Sequence, residues 1–185
     1  MELFGSFTSP FVRHCRIALL EEQFEFELIE TDGEASAAQS PTKRVPFLKD
    51  GDIQLTDSSS ILKYVREKAG KPFIQNLQDY DQYCLVNTVL DSCVNLFLLE
   101  RHGLSADANS YLKRQSQRIE SGLTELNQHL FSKQAPYSDS ELRLACFLDW
   151  GLFRERIQLE EHSQLTSFLK QLNQYPPFAK TSPPK

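Results

Sequence analysis

The chain changes character once, between Lys71 and Asn76, and that change limits what it can fold into. Before it, short apolar runs with strand character alternate with runs at helical spacing. Beyond it strand signal nearly vanishes, and apolar residues recur at the three-to-four spacing of helices. The pattern predicts two domains, a mixed α/β one over 1–75 and an all-helical one over 76–185. At 185 residues the chain is long enough to give each a core.

Within the first region Met1–Gly5 reads as a strand and Pro10–Gln23 as a helix. Phe24–Glu30 alternates apolar and charged residues, the period of a half-buried strand, until Asp32-Gly33 breaks it. A short polar segment with weak helix character runs to Ser40. Val45–Lys49 and Ile53–Leu55, joined by Asp50-Gly51-Asp52, read as a hairpin. Ser58–Ala69 is then helical, with Gly70 as its stop. The predicted order is β-α-β-α-β-β-α.

In the second region helices are expected over Tyr80–Arg101, Tyr111–Leu130, Leu142–Phe153 and Leu165–Leu172. Ser138 and Glu141 have capping-box spacing ahead of the third, an almost all-round apolar segment suited to the centre of a bundle. The proline pairs at 176–177 and 183–184 predict an irregular tail.

A net charge of −5 with no basic cluster argues against nucleic acid or an anionic membrane as the main partner. No apolar run approaches membrane-spanning length and the N-terminus lacks a signal-peptide pattern, so a cytoplasmic location is expected. Cys15, Cys84, Cys93 and Cys146 have no Cys-x-x-Cys spacing, and His14, His102, His129 and His162 are scattered. Buried thiols and no metal site are expected.

Three stretches carry possible chemistry. In Phe7–Arg13, Thr8 or Ser9 precedes Pro10 as a helix N-cap. A helix N-terminus presents free N–H groups and a partial positive charge, so a hydroxyl there is either a plain cap or a movable donor at an anion site. In Val45-Pro46, a cis bond would turn the Val45 backbone outward to pair with an extended peptide; a structural turn is the other reading. Asp57-Ser58 caps the next helix, and also offers a hydroxyl and N–H for a carboxylate and a carboxylate for an ammonium group.

With those residues in order, the chain resembles the cytosolic glutathione transferases, closest to small bacterial members whose first helix begins Ser-Pro-Phe-Val-Arg. The resemblance rests on Ser9–Arg13, Val45-Pro46 and Asp57–Ile61, continues through Ser138–Glu141 and Asp149–Arg154, and ends at Tyr175–Phe178. It implies a thioredoxin-like first domain, an all-helical bundle and a homodimer, to which Tyr80–Arg101 is the helix suited to contribute.

The implied co-substrate is glutathione, held by Ser9, Phe11, Arg44, Val45, Pro46, Asp57 and Ser58. Val45 would pair with the cysteinyl part, Asp57 and Ser58 with the γ-glutamyl end, and Arg44 with the glycyl carboxylate. Ser9 or Thr8 would activate the thiol. Phe7, Phe11, Arg101, His102 and Tyr111 are the residues implied for an apolar electrophile pocket between the domains.

The chemistry follows from the thiol. A hydroxyl donor and a helix N-terminus each stabilise a thiolate by on the order of 1 kcal/mol. Together they would lower its pKa by roughly one to two, and the thiolate is the attacking form. A serine at position 9 cannot form a mixed disulfide, which argues against thiol-exchange chemistry. His14 is expected to face solvent and take no part. The rival expectation is a module of the same fold that binds glutathione or a protein without turnover.

Overall fold

A computed structural model describes residues 1–31 and 33–183. The turn expected at Asp32 and the last proline of the tail lie outside them. Contacts divide the chain into two units, Met1–Gln75 with Asn173–Lys185, and Asn76–Leu172.

In the first unit the order is β1 (Glu2–Gly5), α1 (Pro10–Glu21), β2 (Glu27–Glu30), α2 (Gly33–Gln39), β3 (Phe47–Asp50), β4 (Ile53–Leu55) and α3 (Ser58–Lys68). This is the β-α-β-α-β-β-α succession read from the sequence. The sheet runs β2-β1-β3-β4, parallel between β1 and β2 and antiparallel elsewhere. α1 is the crossover that a parallel pair requires.

Leu3, Val12, Ile17, Leu19, Phe47, Leu48, Ile61, Leu62 and Val65 are all fully buried and form this unit's core. Phe4 faces Phe47 across β1 and β3, the rings stacked 4.4 Å apart. Gly5 allows α1 to approach: a Cβ there would sit 2.3 Å from Val12 Cγ2.

β2 is shorter than the sequence pattern suggests, beginning at Glu27 rather than Phe24. The reason lies at the end of α1, where Gln23 adopts φ 56° and Phe24 N–H bonds back to Leu19 O at 3.0 Å. Phe24 is thereby committed to closing the helix. The alternation still holds in burial, since Phe24, Phe26 and Leu28 are half-buried while Glu25 and Glu27 are exposed.

The tail departs most from the sequence reading, which placed it in the second domain as irregular chain. Pro176–Lys180 forms a short helix, α8, with Pro176 in its first turn and Phe178 fully buried, and it packs with the first unit. Arg13 of α1, only 2 % exposed, holds it there. Its guanidinium donates to Phe178 O at 3.0 Å, Thr181 Oγ1 at 3.3 Å and Ser182 Oγ at 3.2 Å, and lies 3.8 Å from the Phe178 ring centroid. Arg16 adds a bond to Thr181 O at 3.2 Å.

The second unit comprises α4 (Leu77–Glu100), a single 3₁₀ turn at Ala106–Ala108, α5 (Ser110–Leu126), α6 (Asp139–Phe153) and α7 (Ser163–Leu172). α4 packs on α5 and α6, and Gly122 of α5 lies so close to Val89 of α4 that a Cβ would fall 2.3 Å from Val89 Cγ2. α6 is buried on nearly every side, as its composition predicts. Both bonds of its capping box form, Glu141 N–H to Ser138 Oγ at 3.2 Å and Ser138 N–H to Glu141 Oε2 at 2.9 Å. Even Arg143 is fully buried there, donating to Tyr83 Oη at 2.6 Å.

α5 stops at Leu126, not Leu130, because Asn127 turns its Oδ1 to accept the Gln164 and Leu165 N–H groups at the start of α7; Leu130 is left 93 % exposed. Against the expectation from the sequence, α4 is long and apolar enough to cross a membrane by length and composition, with a mean hydropathy of 1.3 over an 18-residue window. Packing against α5 and α6 buries part of that apolar surface, including Tyr83, Val86, Val89, Leu90, Cys93 and Leu96.

Candidate functional site

The strand directions bring the three sequence motifs to one end of the sheet. β1 leaves the sheet at Gly5, antiparallel β3 enters it at Phe47, and β4, antiparallel to β3, leaves at Leu55. Thr8-Ser9, Val45-Pro46 and Asp57 sit in the connections at that end, and Ser58 opens α3 there. Helices α1 and α3 begin there, so their unpaired N–H groups open toward the same region.

Ser9 is the N-cap of α1. At φ −75°, ψ 127° its Oγ accepts the Val12 N–H at 3.4 Å, with Pro10 in the first turn. Accepting uses the oxygen's lone pair and leaves the O–H to donate, and among the described residues it donates to nothing. Thr8 differs: its Oγ1 shares a hydrogen bond with Ser6 Oγ at 3.1 Å, and its N–H bonds to the same oxygen at 3.3 Å.

The Val45–Pro46 peptide bond is cis. Pro46 is buried and Val45 half-buried, and among the described residues neither backbone group of Val45 has a hydrogen-bond partner. The preceding chain is held in place: Lys43 N–H bonds to Ser40 O at 2.9 Å, and Thr42 Oγ1 bonds to Ser40 Oγ at 2.9 Å and to Thr56 O at 3.4 Å. Thr42 thus ties the segment before Val45 to the segment before Asp57. Arg44 is exposed on this turn.

Asp57 caps α3, its Oδ1 accepting the Ser59 N–H at 2.7 Å while the carboxylate remains exposed. Ser58 is 4 % exposed, and its carbonyl receives the Cys15 thiol at 3.9 Å, which joins α3 to α1 beneath the motif. Phe7 is 36 % exposed beside the Arg16 guanidinium, 5.2 Å away, and Phe11 is half-buried on α1.

Arg101, His102 and Tyr111 belong to the second unit. Arg101 directly follows α4 with its guanidinium 5.9 Å from the Phe97 ring, His102 is exposed, and Tyr111 is 65 % exposed at the start of α5.

His14 is a correction: it is fully buried, not solvent-facing, because α1 is covered by the sheet, α3 and α8 and has little outer face. Cys15, Cys93 and Cys146 are buried free thiols and Cys84 is half-buried. Arg13 has a role that sequence spacing does not reveal. It lies one turn from Ser9, with its N–H on Ser9 O at 2.9 Å, yet its side chain binds residues at the far end of the chain.

Comparison with known proteins bears on the fold. Residues 3–73 match the family described as glutathione S-transferase, N-terminal domain. A probable glutathione S-transferase of rice, GSTF2, is 36 % identical over 98 residues, 49 % of this chain and 45 % of that protein. Maize glutathione S-transferase 4 is 30 % identical over 115 residues, 58 % of this chain and 48 % of that one. The chain therefore spans about half the length of these two plant relatives. The solved glutathione S-transferase of Methylobacillus flagellatus KT, with GSH bound, superposes with a TM-score of 0.84 at 19 % identity, over 99 % of each chain. The chain has the glutathione S-transferase fold, and its residues 3–73 match the N-terminal domain of that family.

Proposed function

We propose that the protein is a glutathione S-transferase that conjugates the glutathione thiolate to small electrophilic apolar compounds. The observation that carries this reading is the shared sheet end, where the Val45 backbone, unpartnered among the described residues, precedes a cis bond at the same end as two helix N-termini. An extended peptide with a carboxylate at one end and a thiol near its middle matches those groups. Val45 pairs with the cysteinyl backbone beside Pro46, Asp57 and Ser58 take the γ-glutamyl ammonium and carboxylate, and Arg44 takes the glycyl carboxylate. Phe11 flanks the peptide, and Phe7 and Phe11 are the first unit's apolar contribution to the electrophile.

Ser9 is the activating residue in this reading. Its O–H is uncommitted among the described residues, whereas the Thr8 hydroxyl is tied to Ser6. A thiolate there gains one hydroxyl hydrogen bond and the N-terminal field of α1, lowering the thiol pKa by roughly one to two. A homodimer involving α4 and a cytoplasmic location belong to the same reading.

Two variants test it. Calorimetry should show glutathione binding by the wild type and its loss in Asp57→Ala. Ser9→Ala should retain binding but lose turnover by about tenfold or more with a model electrophile, and unchanged turnover would remove Ser9 from the mechanism. Binding without turnover in the wild type would favour a module that holds glutathione without acting on it.

A further inference from the structure

A chain of hydroxyl groups joins the two loops that carry the proposed glutathione contacts. Ser40 Oγ and Thr42 Oγ1 lie 2.9 Å apart, and Thr42 Oγ1 donates to Thr56 O at 3.4 Å. A hydroxyl has one proton to give, and Thr42 gives its own to Thr56 O. The bond between the two side chains is therefore donated by Ser40, and the order runs from Ser40 through Thr42 to Thr56. The first end is well anchored. Ser40 is only 3 % exposed, and its N–H bonds to Ser36 O at 2.9 Å at the end of α2. Thr42 itself is exposed, so its side chain adds little to the core.

Each end of the bridge acts on backbone next to a ligand contact. Thr56 O shares one planar peptide unit with the Asp57 N–H, so the bond from Thr42 fixes the plane from which Asp57 departs. Asp57 leaves it at φ −135°, ψ 141° and caps α3 through the Ser59 N–H at 2.7 Å. On the other side Lys43 follows Thr42 at φ 53°, a left-handed conformation that residues with a Cβ seldom adopt. Its N–H bonds to Ser40 O at 2.9 Å, and Arg44 and the cis Val45–Pro46 bond come next. The turn before Val45 is thus closed on Ser40, while the same Thr42 hydroxyl reaches across to the loop before Asp57.

We propose, resting on the transferase reading, that Thr42 is a positioning residue that holds the Arg44–Val45 and Asp57–Ser58 halves of the glutathione site in register. One tripeptide must reach both loops at once, so its affinity depends on their mutual placement as well as on the groups that touch it. Replacing the hydroxyl by a methyl leaves Thr56 O without its donor and Ser40 Oγ without its acceptor, at nearly unchanged shape. The loops then move independently, and part of the binding free energy goes to bringing them back together. Ser9 stands on a third connection, ahead of α1 and outside this chain of bonds, so the step after binding is spared.

Calorimetric titration with glutathione should give Thr42→Val a Kd about threefold or more above the wild type. Thr42→Ser keeps the hydroxyl and should stay within about twofold of the wild type. With a model electrophile, the KM for glutathione should rise by the same factor in Thr42→Val while kcat holds within about twofold. A variant that was merely destabilised would instead show fewer binding sites and a lower kcat at an unchanged Kd. Thr124→Val, which removes an α5 hydroxyl bonded to Glu120 O at 2.9 Å, should bind like the wild type. Equal Kd for Thr42→Val and the wild type would overturn the proposal. So would a loss that Thr42→Ser fails to restore, or one confined to kcat and the number of sites. A wild type that does not bind glutathione would overturn the transferase reading itself and this assignment with it, so the wild-type titration tells the two failures apart.

Discussion

Gly5 shows how closely single residues are constrained. With a Cβ 2.3 Å from Val12 Cγ2, Gly5→Ala must push α1 away from β1 or force Val12 off its rotamer. We expect a loss of about 1–3 kcal/mol in denaturant unfolding. Because α1 carries Ser9, the same variant should also weaken turnover if the transferase reading holds. Cys93 is constrained by burial instead, its thiol pushed up to about 12 by loss of solvation on α4. It should therefore resist iodoacetamide at pH values where ordinary thiols react, while half-buried Cys84 is modified first. Mass spectrometry of the native protein checks this: labelling of Cys93 before unfolding would contradict the buried position.

Elements are set largely by their ends. Gly70, at φ 73°, closes α3 with its N–H on Glu67 O at 2.9 Å and that of Lys71 on Arg66 O at 2.9 Å. α6 ends in the same way, but Glu155 occupies the left-handed position, where a Cβ is unfavourable. Glu155→Gly should therefore raise the melting temperature, by an amount equivalent to at most about 1 kcal/mol. At the other end, Ser138→Ala removes the cap and should cost about 1 kcal/mol, read from chemical denaturation.

The hairpin is held to α3 by Asp50, whose carboxylate accepts from Lys68 Nζ at 2.5 Å and Tyr64 Oη at 2.6 Å. The bond from Lys68, then that from Tyr64, lower the Asp50 pKa, while the bonds of Lys68 to Asp50 and then to Tyr64 Oη raise that of Lys68. Asp50 therefore contributes stability above the unfolded carboxylate pKa of about 3.9 that is lost as pH falls through its lower folded value. Lys68 contributes below about 10.4, and that part is lost as pH rises through its higher folded value. Lys68→Met should flatten the stability profile at both extremes. An unchanged acid limb would mean that the pair contributes nothing measurable there.

For the whole molecule, the long-range tie within the first unit is between α1 and the tail. Removing Asn173–Lys185 takes away the hydrogen bonds that Phe178, Thr181 and Ser182 accept from a guanidinium that is almost fully buried, along with the fully buried Phe178 itself. Lost bonds to a buried charge and a lost buried aromatic are both costly, so the deletion should destabilise the first unit by several kcal/mol. Its clearest sign should be faster amide hydrogen exchange across α1 than in the intact chain. Exchange unchanged in α1 would show that the tail is only a passenger.

Local chemistry was sufficient for much of this molecule. The change of regime near residue 71, the hairpin at Asp50-Gly51, the stop at Gly70, the caps at Ser9, Asp57 and Ser138, and the order of elements all depend on residues within a few positions of one another. Propensity, periodicity and capping are local effects, and a sequence displays them directly. The three motifs could be seen singly for the same reason, but their meeting at one sheet end depends on strand direction and pairing. The burial of His14, the tail's place beside Arg13, the early stop of α5 at Asn127 and the Thr42 bridge to Thr56 were set by tertiary structure alone. Each depends on partners brought together by packing across long stretches of chain, where spacing along the sequence carries no record of distance in space.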